Sequence, residues 1–135
     1  MEIKNTNSKD YKNFLELLES IGEEREFEIG EIITSYKYIP GEIFLIKDGN
    51  ARLVTNLDDK LTSVGKLSKG DFIGIASILN GKALEGVRAS ERLSVYSLKD
   101  QDFLKLYKEK LYIRNFCDNN IWNSEIICIL KKIPK

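Results

Sequence analysis

Few side chains in this sequence could do chemistry, and the type most used for catalysis and metal binding is missing. None of the 135 residues is a histidine. Histidine is the usual general base, the commonest metal ligand and the side chain that titrates near neutrality without help. Its absence excludes Ser-His-Asp and Cys-His catalysis, HExxH zinc chemistry and a histidine pH switch.

The remaining reactive residues do not form a site by their spacing. Cys117 and Cys128 fall about three turns apart in a predicted helix, which separates them by roughly 16 Å, too far for a disulfide. Because no CxxC motif accompanies them, we expect buried helical thiols. Asp58 and Asp59 lack the ligand number of a calcium loop and are expected at a solvated hairpin tip. The sequence therefore predicts no catalytic group and no metal site.

The composition is typical of one globular domain. Lys plus Arg and Asp plus Glu each number 21, and 42% of residues are hydrophobic. Zero net charge gives no general attraction to nucleic acid or anionic lipid. The charge is nevertheless uneven, because residues 1–31 are net negative and the remainder is net positive by the same amount. With no secretory h-region and no apolar run long enough to cross a bilayer, the expected location is cytoplasmic.

Hydrophobic spacing divides the chain into a helix, a strand-rich region and further helices. Residues 10–21 place apolar side chains at helical spacing, and Gly22 follows as a stop. Residues 27–98 change to short apolar or alternating runs separated by turn residues. Residues 100–131 return to helical spacing. The pattern predicts a mainly β fold, a small antiparallel barrel or roll with flanking helices.

Individual elements can be predicted from the same pattern. Glu23–Glu26 is expected to be an exposed, charged turn, and Gly74–Leu79 one turn of helix among the strands. Leu111 is expected to share a helix face with Phe103, Leu106 and Tyr107 after a cap at Asp100. The predicted strands are Phe27–Ile29, Ile32–Tyr38, Ile43–Lys47, Ala51–Asn56, Leu61–Leu67, Val87–Ser90 and Leu93–Leu98.

Three segments carry a resemblance to a known family. They are Gly41–Val54, Val64–Gly74 and Val87–Ala89, with Gly49 and Gly70 at turns. Their order resembles the cyclic nucleotide-binding domain, the family of the catabolite activator protein and of the regulatory subunits of cyclic-nucleotide-dependent kinases. The resemblance covers residues 10–120. It implies an eight-stranded antiparallel β-roll, jelly-roll-like, with an N-terminal helix and C-terminal helices, and one such domain over residues 1–135 as a fragment of a longer chain.

The resemblance also implies a phosphate-binding cassette that begins at Gly74. In the family's cassette a glycine lets the backbone approach, a one-turn helix directs N–H groups at the cyclic phosphate, a glutamate accepts the ribose 2′-hydroxyl and an arginine pairs with the phosphate. This chain has Ile75 in place of the glutamate. It has Ala83 or Leu84, depending on where the gap is placed, in place of the arginine.

We therefore expect a degenerate cassette that binds cAMP or cGMP poorly or not at all. Lys82 is either a substitute phosphate ligand or a solvated loop lysine. Arg88 alternates with Val87 and Ala89, so it points outward if those two face the interior of the roll. The candidate ligand-binding residues are Gly74, Ile75, Ala76, Ser77, Lys82, Ala83, Leu84 and Arg88.

A narrower resemblance concerns the setting of the domain. Phe72–Gly81, Glu85–Ser90, Phe116–Cys117 and Ile121–Glu125 are similar to the N-terminal regulatory domain of bacterial toxin-secretion ABC transporters. This implies a non-catalytic module at the cytosolic face of the inner membrane, with peptidase and transporter domains in the same polypeptide. The alternative is the ligand-sensing domain of a catabolite-activator-type transcription factor whose DNA-binding part is missing, since residues 126–135 are too few for a helix-turn-helix.

The expected partners follow from these two settings. They are a nucleotide or another small molecule, the further domains of the same polypeptide, and a second copy through the C-terminal helices. Phe116, Trp122 and residues 126–130 are expected either to supply an apolar docking surface for such a partner or to belong to a helix folded back on the roll. No bound cofactor is expected, and neither nucleic acid nor a membrane span is expected within this segment.

Overall fold

The computed structural model describes residues 9–84 and 86–119. Within them the fold is mainly β, with eight strands, an N-terminal helix and helices at the C-terminal end, which confirms the predicted fold class. In chain order the elements are α1 (Lys9–Ile21), β1 (Glu23–Phe27), β2 (Ile32–Thr34), β3 (Glu42–Asp48), β4 (Ala51–Leu57), β5 (Lys60–Leu67), β6 (Phe72–Ile73), α2 (Ile75–Asn80), β7 (Gly86–Ala89), β8 (Leu93–Lys99), α3 (Asp100–Glu109) and α4 (Leu111–Asp118).

The strands form two antiparallel sheets of four strands each. The first sheet has the order β1-β8-β3-β6, and the second has the order β2-β7-β4-β5. Apolar side chains from both sheets meet between them and fill the roll. We call this cluster the roll core; it consists of Phe27, Phe44, Ile46, Ala51, Leu53, Leu67, Ile73, Val87, Ala89, Leu93 and Val95.

A second buried cluster lies on the other face of the first sheet, where the helices cover it. Phe14 of α1 stacks on Phe72 at 4.7 Å between ring centroids, and Phe116 of α4 packs edge-on against Phe14. Successive residues of β3 therefore point to different clusters. We call this cluster the helix core; it consists of Tyr11, Phe14, Leu18, Ile43, Leu45, Phe72, Ile75, Ala76, Leu98, Phe103, Ile113, Phe116 and Cys117.

The segment Glu23–Glu26 is a strand, so the predicted turn there is wrong. It pairs with β8 from Glu23 opposite Ser97 to Phe27 opposite Leu93, and the roll begins four residues earlier than predicted. The predicted strand Phe27–Ile29 ends at Phe27, and Ile29 is 72% exposed. The four charged residues led to the wrong prediction because an edge strand tolerates charged side chains. In this strand the exposed acids alternate with Arg25 and Phe27.

Two further boundaries differ from the prediction. The strand predicted over 32–38 ends at Thr34, and Tyr38 is 72% exposed. The C-terminal helical region breaks at Lys110, whose φ of −108° and ψ of 109° are those of extended chain. Leu111 therefore begins a new helix and is 60% exposed, so it does not share the face of Phe103.

The C-terminal helices are described as far as Asp118. Cys117 is a free, buried thiol, as expected, and its burial raises the pKa of the thiol. Cys128, Trp122 and the rest of the region predicted helical to residue 131 lie outside the described residues. Of the docking surface predicted there, Phe116 is described and is buried in the helix core, so it is not part of such a surface, and the other residues lie outside the described ones.

Candidate nucleotide-binding site

The predicted cassette is a short helix between β6 and β7. Gly74 has a φ of +97° and stands just before α2, and Gly81, with a φ of +64°, follows directly after it. A Cβ on Gly74 would come within 2.9 Å of the Glu42 carbonyl oxygen, so both backbone angle and space require glycine here. The backbone thus has the turn and the helical segment expected from the sequence.

The side chains at the start of α2 point into protein. Ile75, Ala76 and Ser77 are 1%, 2% and 0% exposed, and the first two belong to the helix core. The resemblance places Ile75 at the position of the family's ribose-binding glutamate. In the structure the Ile75 side chain packs α2 against the helices. A glutamate at this position would have to bury its charge, which is energetically unfavourable.

Ser77 holds the loop that follows α2. Its carbonyl oxygen accepts a hydrogen bond from the Lys82 backbone N–H at 3.2 Å, and its Oγ accepts one from the Leu84 N–H at 3.1 Å. Leu84 is half-buried against the helix core, whereas Lys82 is exposed. The serine therefore ties together the segment in which the family carries its phosphate-pairing arginine. No signal in the sequence indicated this role of Ser77.

The loop itself offers little positive charge toward α2. Ala83 and Leu84 are half-buried and apolar, and the Lys82 side chain is in solvent. Glu85, which the sequence places next to them, lies outside the described residues. Of the two positions considered for the arginine, neither supplies a charge-assisted hydrogen bond to an anion.

Arg88 lies on the outside of the roll. Val87 and Ala89 are 0% and 2% exposed in the roll core, whereas Arg88 between them is exposed. In register it stands opposite Ile32 on one side and Arg52 on the other. The structure therefore brings Gly74, Ile75, Ala76, Ser77, Lys82, Ala83 and Leu84 together and places Arg88 on a different face.

Three clefts formed by described residues lie away from α2 and from the loop after it, one of them a cleft of about 380 Å³ beside Glu24 and Ser94. A cleft of about 30 Å³ opens beside Arg88, between Thr34, Tyr36 and Leu61. A groove of about 670 Å³ runs between α1 and the first sheet, past Tyr11, Lys47, Lys69 and Tyr96. In the described ranges no three metal-ligating side chains come together, and no helix there is long and apolar enough to cross a membrane.

Two solved structures share this fold. The fold is that of the Thermus thermophilus catabolite activator protein, with a TM-score of 0.66 at 18% identity over 93% of this chain and 54% of that one. It is also that of a cAMP-independent protein kinase A regulatory subunit from Trypanosoma brucei, a triple mutant bound to cAMP, with a TM-score of 0.70 at 18% identity over 91% and 52%.

The family follows from the sequence match. The model of the cyclic nucleotide-binding domain matches residues 24–110, and this chain belongs to that family. A cAMP-dependent protein kinase regulatory subunit of Mycosarcoma maydis is 31% identical over 88 residues, which are 61% of this chain and 17% of the relative. The chain thus spans under a fifth of that curated relative. Residues 24–110 are thus a cyclic nucleotide-binding domain.

Proposed function

We propose that this chain is a non-catalytic regulatory module whose cassette does not bind cAMP or cGMP with ordinary affinity. The observation that carries the proposal is Ile75, which is 1% exposed and packed in the helix core where the family's cassette has a ribose-binding glutamate. Ala83 and Leu84 add to it, because neither can pair with a phosphate. Regulation would then act through another ligand or through protein contacts.

The expected loss of affinity can be bounded. A hydrogen bond to a charged group contributes about 1.5–3 kcal/mol, so the lack of both the carboxylate and the guanidinium weakens a cyclic nucleotide by about 3–6 kcal/mol. This is roughly two to four decades in Kd. A sensor that binds in the micromolar range with both groups would bind here only at concentrations of about 0.1 mM and above.

Isothermal titration calorimetry of the whole chain with cAMP and with cGMP tests this proposal. We expect no heat of binding at micromolar nucleotide. Micromolar or tighter binding of either nucleotide would contradict the proposal. A Lys82→Gln variant serves as the matched arm, since loss of such binding in this variant would identify Lys82 as the substitute phosphate ligand that the proposal denies.

We also propose that the domain is the cytosolic N-terminal part of a toxin-secretion ABC exporter. What supports this is the sequence of Gly74–Leu79, which keeps the cassette glycine and lacks its acid. The reading frame downstream of Lys135 tests it. A peptidase and a membrane exporter would support the proposal. A helix-turn-helix would instead support the ligand-sensing domain of a transcription factor.

A further inference from the structure

Three cations stand side by side on the outer face of the second sheet. Arg52 of β4 is directly opposite Arg88 of β7 on one side and Lys66 of β5 on the other. All three side chains are exposed. We call Arg88, Arg52 and Lys66 the basic row. Because neighbouring strands are about 4.8 Å apart, the row spans roughly 10 Å across three strands.

Within the described residues the charges of the row are not neutralised. Other cations do pair with acids, as in Arg25–Glu42, Lys47–Glu24 at 3.0 Å and Arg92–Glu26 at 2.7 Å. Across residues 9–84 and 86–119, by contrast, no carboxylate pairs with any member of the row. Glu91, three residues after Arg88, accepts a hydrogen bond from Asn50 at 2.8 Å.

Like charges directly opposite each other on a sheet destabilise it. The isolated domain therefore gains nothing from this arrangement, whereas an anionic partner would gain three donors on one surface. Two of the three are arginines, whose planar guanidinium groups match carboxylates in a bidentate geometry. The row is thus better suited to recognition than to stability.

Two exposed apolar side chains lie at the Arg88 end of the row and bear on the kind of anion that would bind. Ile32, in register with Arg88, is 55% exposed, and Leu61 on the edge strand β5 is 47% exposed. Both line the cleft of about 30 Å³ beside Arg88, which has room for one small group such as a methyl. A ligand that fits this face presents carboxylates next to an aliphatic side chain.

We propose that this face binds an acidic polypeptide segment, whose carboxylates pair with Arg88, Arg52 and Lys66 and whose small apolar side chain enters the cleft beside Arg88. The overall charge gives no support to nucleic acid or an anionic bilayer as the partner. A chain with 21 cationic and 21 anionic residues has no net field that would draw it to nucleic acid or to an anionic bilayer. The proposal does not depend on whether the cassette binds a nucleotide.

Fluorescence anisotropy of the whole chain with a labelled synthetic peptide tests the proposal. The peptide alternates glutamate with alanine and valine, and its partner probe has glutamine at every glutamate position. We expect the glutamate peptide to bind, with an affinity that falls as salt rises, and the glutamine peptide to bind at least tenfold more weakly. Equal binding of the two peptides, or no binding of the glutamate peptide, would overturn the proposal.

Variants localise the binding. Arg52→Glu with Arg88→Glu is expected to weaken the glutamate peptide at least tenfold, and Arg52→Gln with Arg88→Gln is the milder version. Lys105→Glu with Lys108→Glu on α3 makes the same change in net charge, since all four side chains are exposed cations, and should leave affinity unchanged. Equal loss in both double variants would mean that only overall charge matters.

Vesicles containing phosphatidylglycerol and a single-stranded oligonucleotide complete the comparison. Neither should compete with the glutamate peptide. If either binds more tightly than the peptide and loses that binding in the Arg52→Gln and Arg88→Gln variant, the partner is of another class and the proposal fails.

Discussion

The two sheets of the roll differ in how many of their faces are covered. The first sheet lies between the roll core and the helix core, and Ile43, Phe44, Leu45 and Ile46 of β3 are buried in succession. In the described residues the second sheet has the roll core on one face, and β7 accordingly buries Val87 and Ala89 while exposing Arg88. A strand buried on both faces reads as a continuous apolar run, and a strand buried on one face alternates.

The two sheets therefore differ in what their outer faces do. The helices bury the outer face of the first sheet, so its residues there serve packing. The outer face of the second sheet carries the basic row and the small cleft. Substitutions of the same chemical type should therefore have different effects on the two sheets.

Leucine truncation should give the largest difference in stability. Leu45→Ala removes a side chain that is 1% exposed in the helix core and should lower the free energy of unfolding by about 2–5 kcal/mol. Leu61→Ala on the second sheet, at 47% exposure, should lower it by less than about 1 kcal/mol. Urea unfolding followed by circular dichroism measures both, and similar losses would refute the assignment of the covered sheet.

A smaller loss is expected at the edge of the first sheet. The Arg25 guanidinium lies 5.2 Å from the Phe27 ring centroid and 5.6 Å from that of Phe44, and it pairs with Glu42. Arg25→Ala should lower the free energy of unfolding by about 1 kcal/mol, since the ion pair is partly exposed and each contact is modest. Arg25→Lys, which keeps the charge without the planar group, should recover only part of it in the same urea assay. Full recovery would show that stacking on the rings contributes nothing.

How far the sequence predicts the fold depends on the same contrast. Alternation in Val87–Ala89 correctly predicted the outward direction of Arg88, because a strand buried on one face alternates buried and exposed residues. Glu23–Glu26 is a strand and not the predicted turn. Pairing with β8 and the contacts of Arg25 with the Phe27 and Phe44 rings outweigh its four charged residues. Local sequence does not contain those distant partners.

The candidate site was predictable as backbone but not as side-chain packing. The sequence predicted a turn of helix over Gly74–Leu79, and the positive φ of Gly74 explains the glycine that precedes α2. Nothing in the local pattern indicated that Ile75 would join Phe14 and Phe103, or that Ser77 Oγ would accept the Leu84 N–H. These contacts depend on helices that approach from distant parts of the chain.

The smallest expected effect is a gain in stability on the second sheet. Arg52 has two cationic neighbours in register and Lys66 has one, so Arg52→Gln should raise the free energy of unfolding by about 0.2–1 kcal/mol and Lys66→Gln by less. Both gains should shrink at high salt, because screening weakens repulsion between exposed charges. Thermal unfolding at low and high ionic strength measures them, with Lys105→Gln on α3 as the control.

The sign of the change in the free energy of unfolding distinguishes a binding role of the basic row from a packing role. If Arg52→Gln destabilised the chain equally at both salt concentrations, the row would have a packing role and the contrast between the sheets would fail. A salt-sensitive gain in stability together with a loss of peptide binding would instead separate the two properties at one residue. Residues that cost stability in the isolated domain are those expected where function, and not folding, determines the side chain.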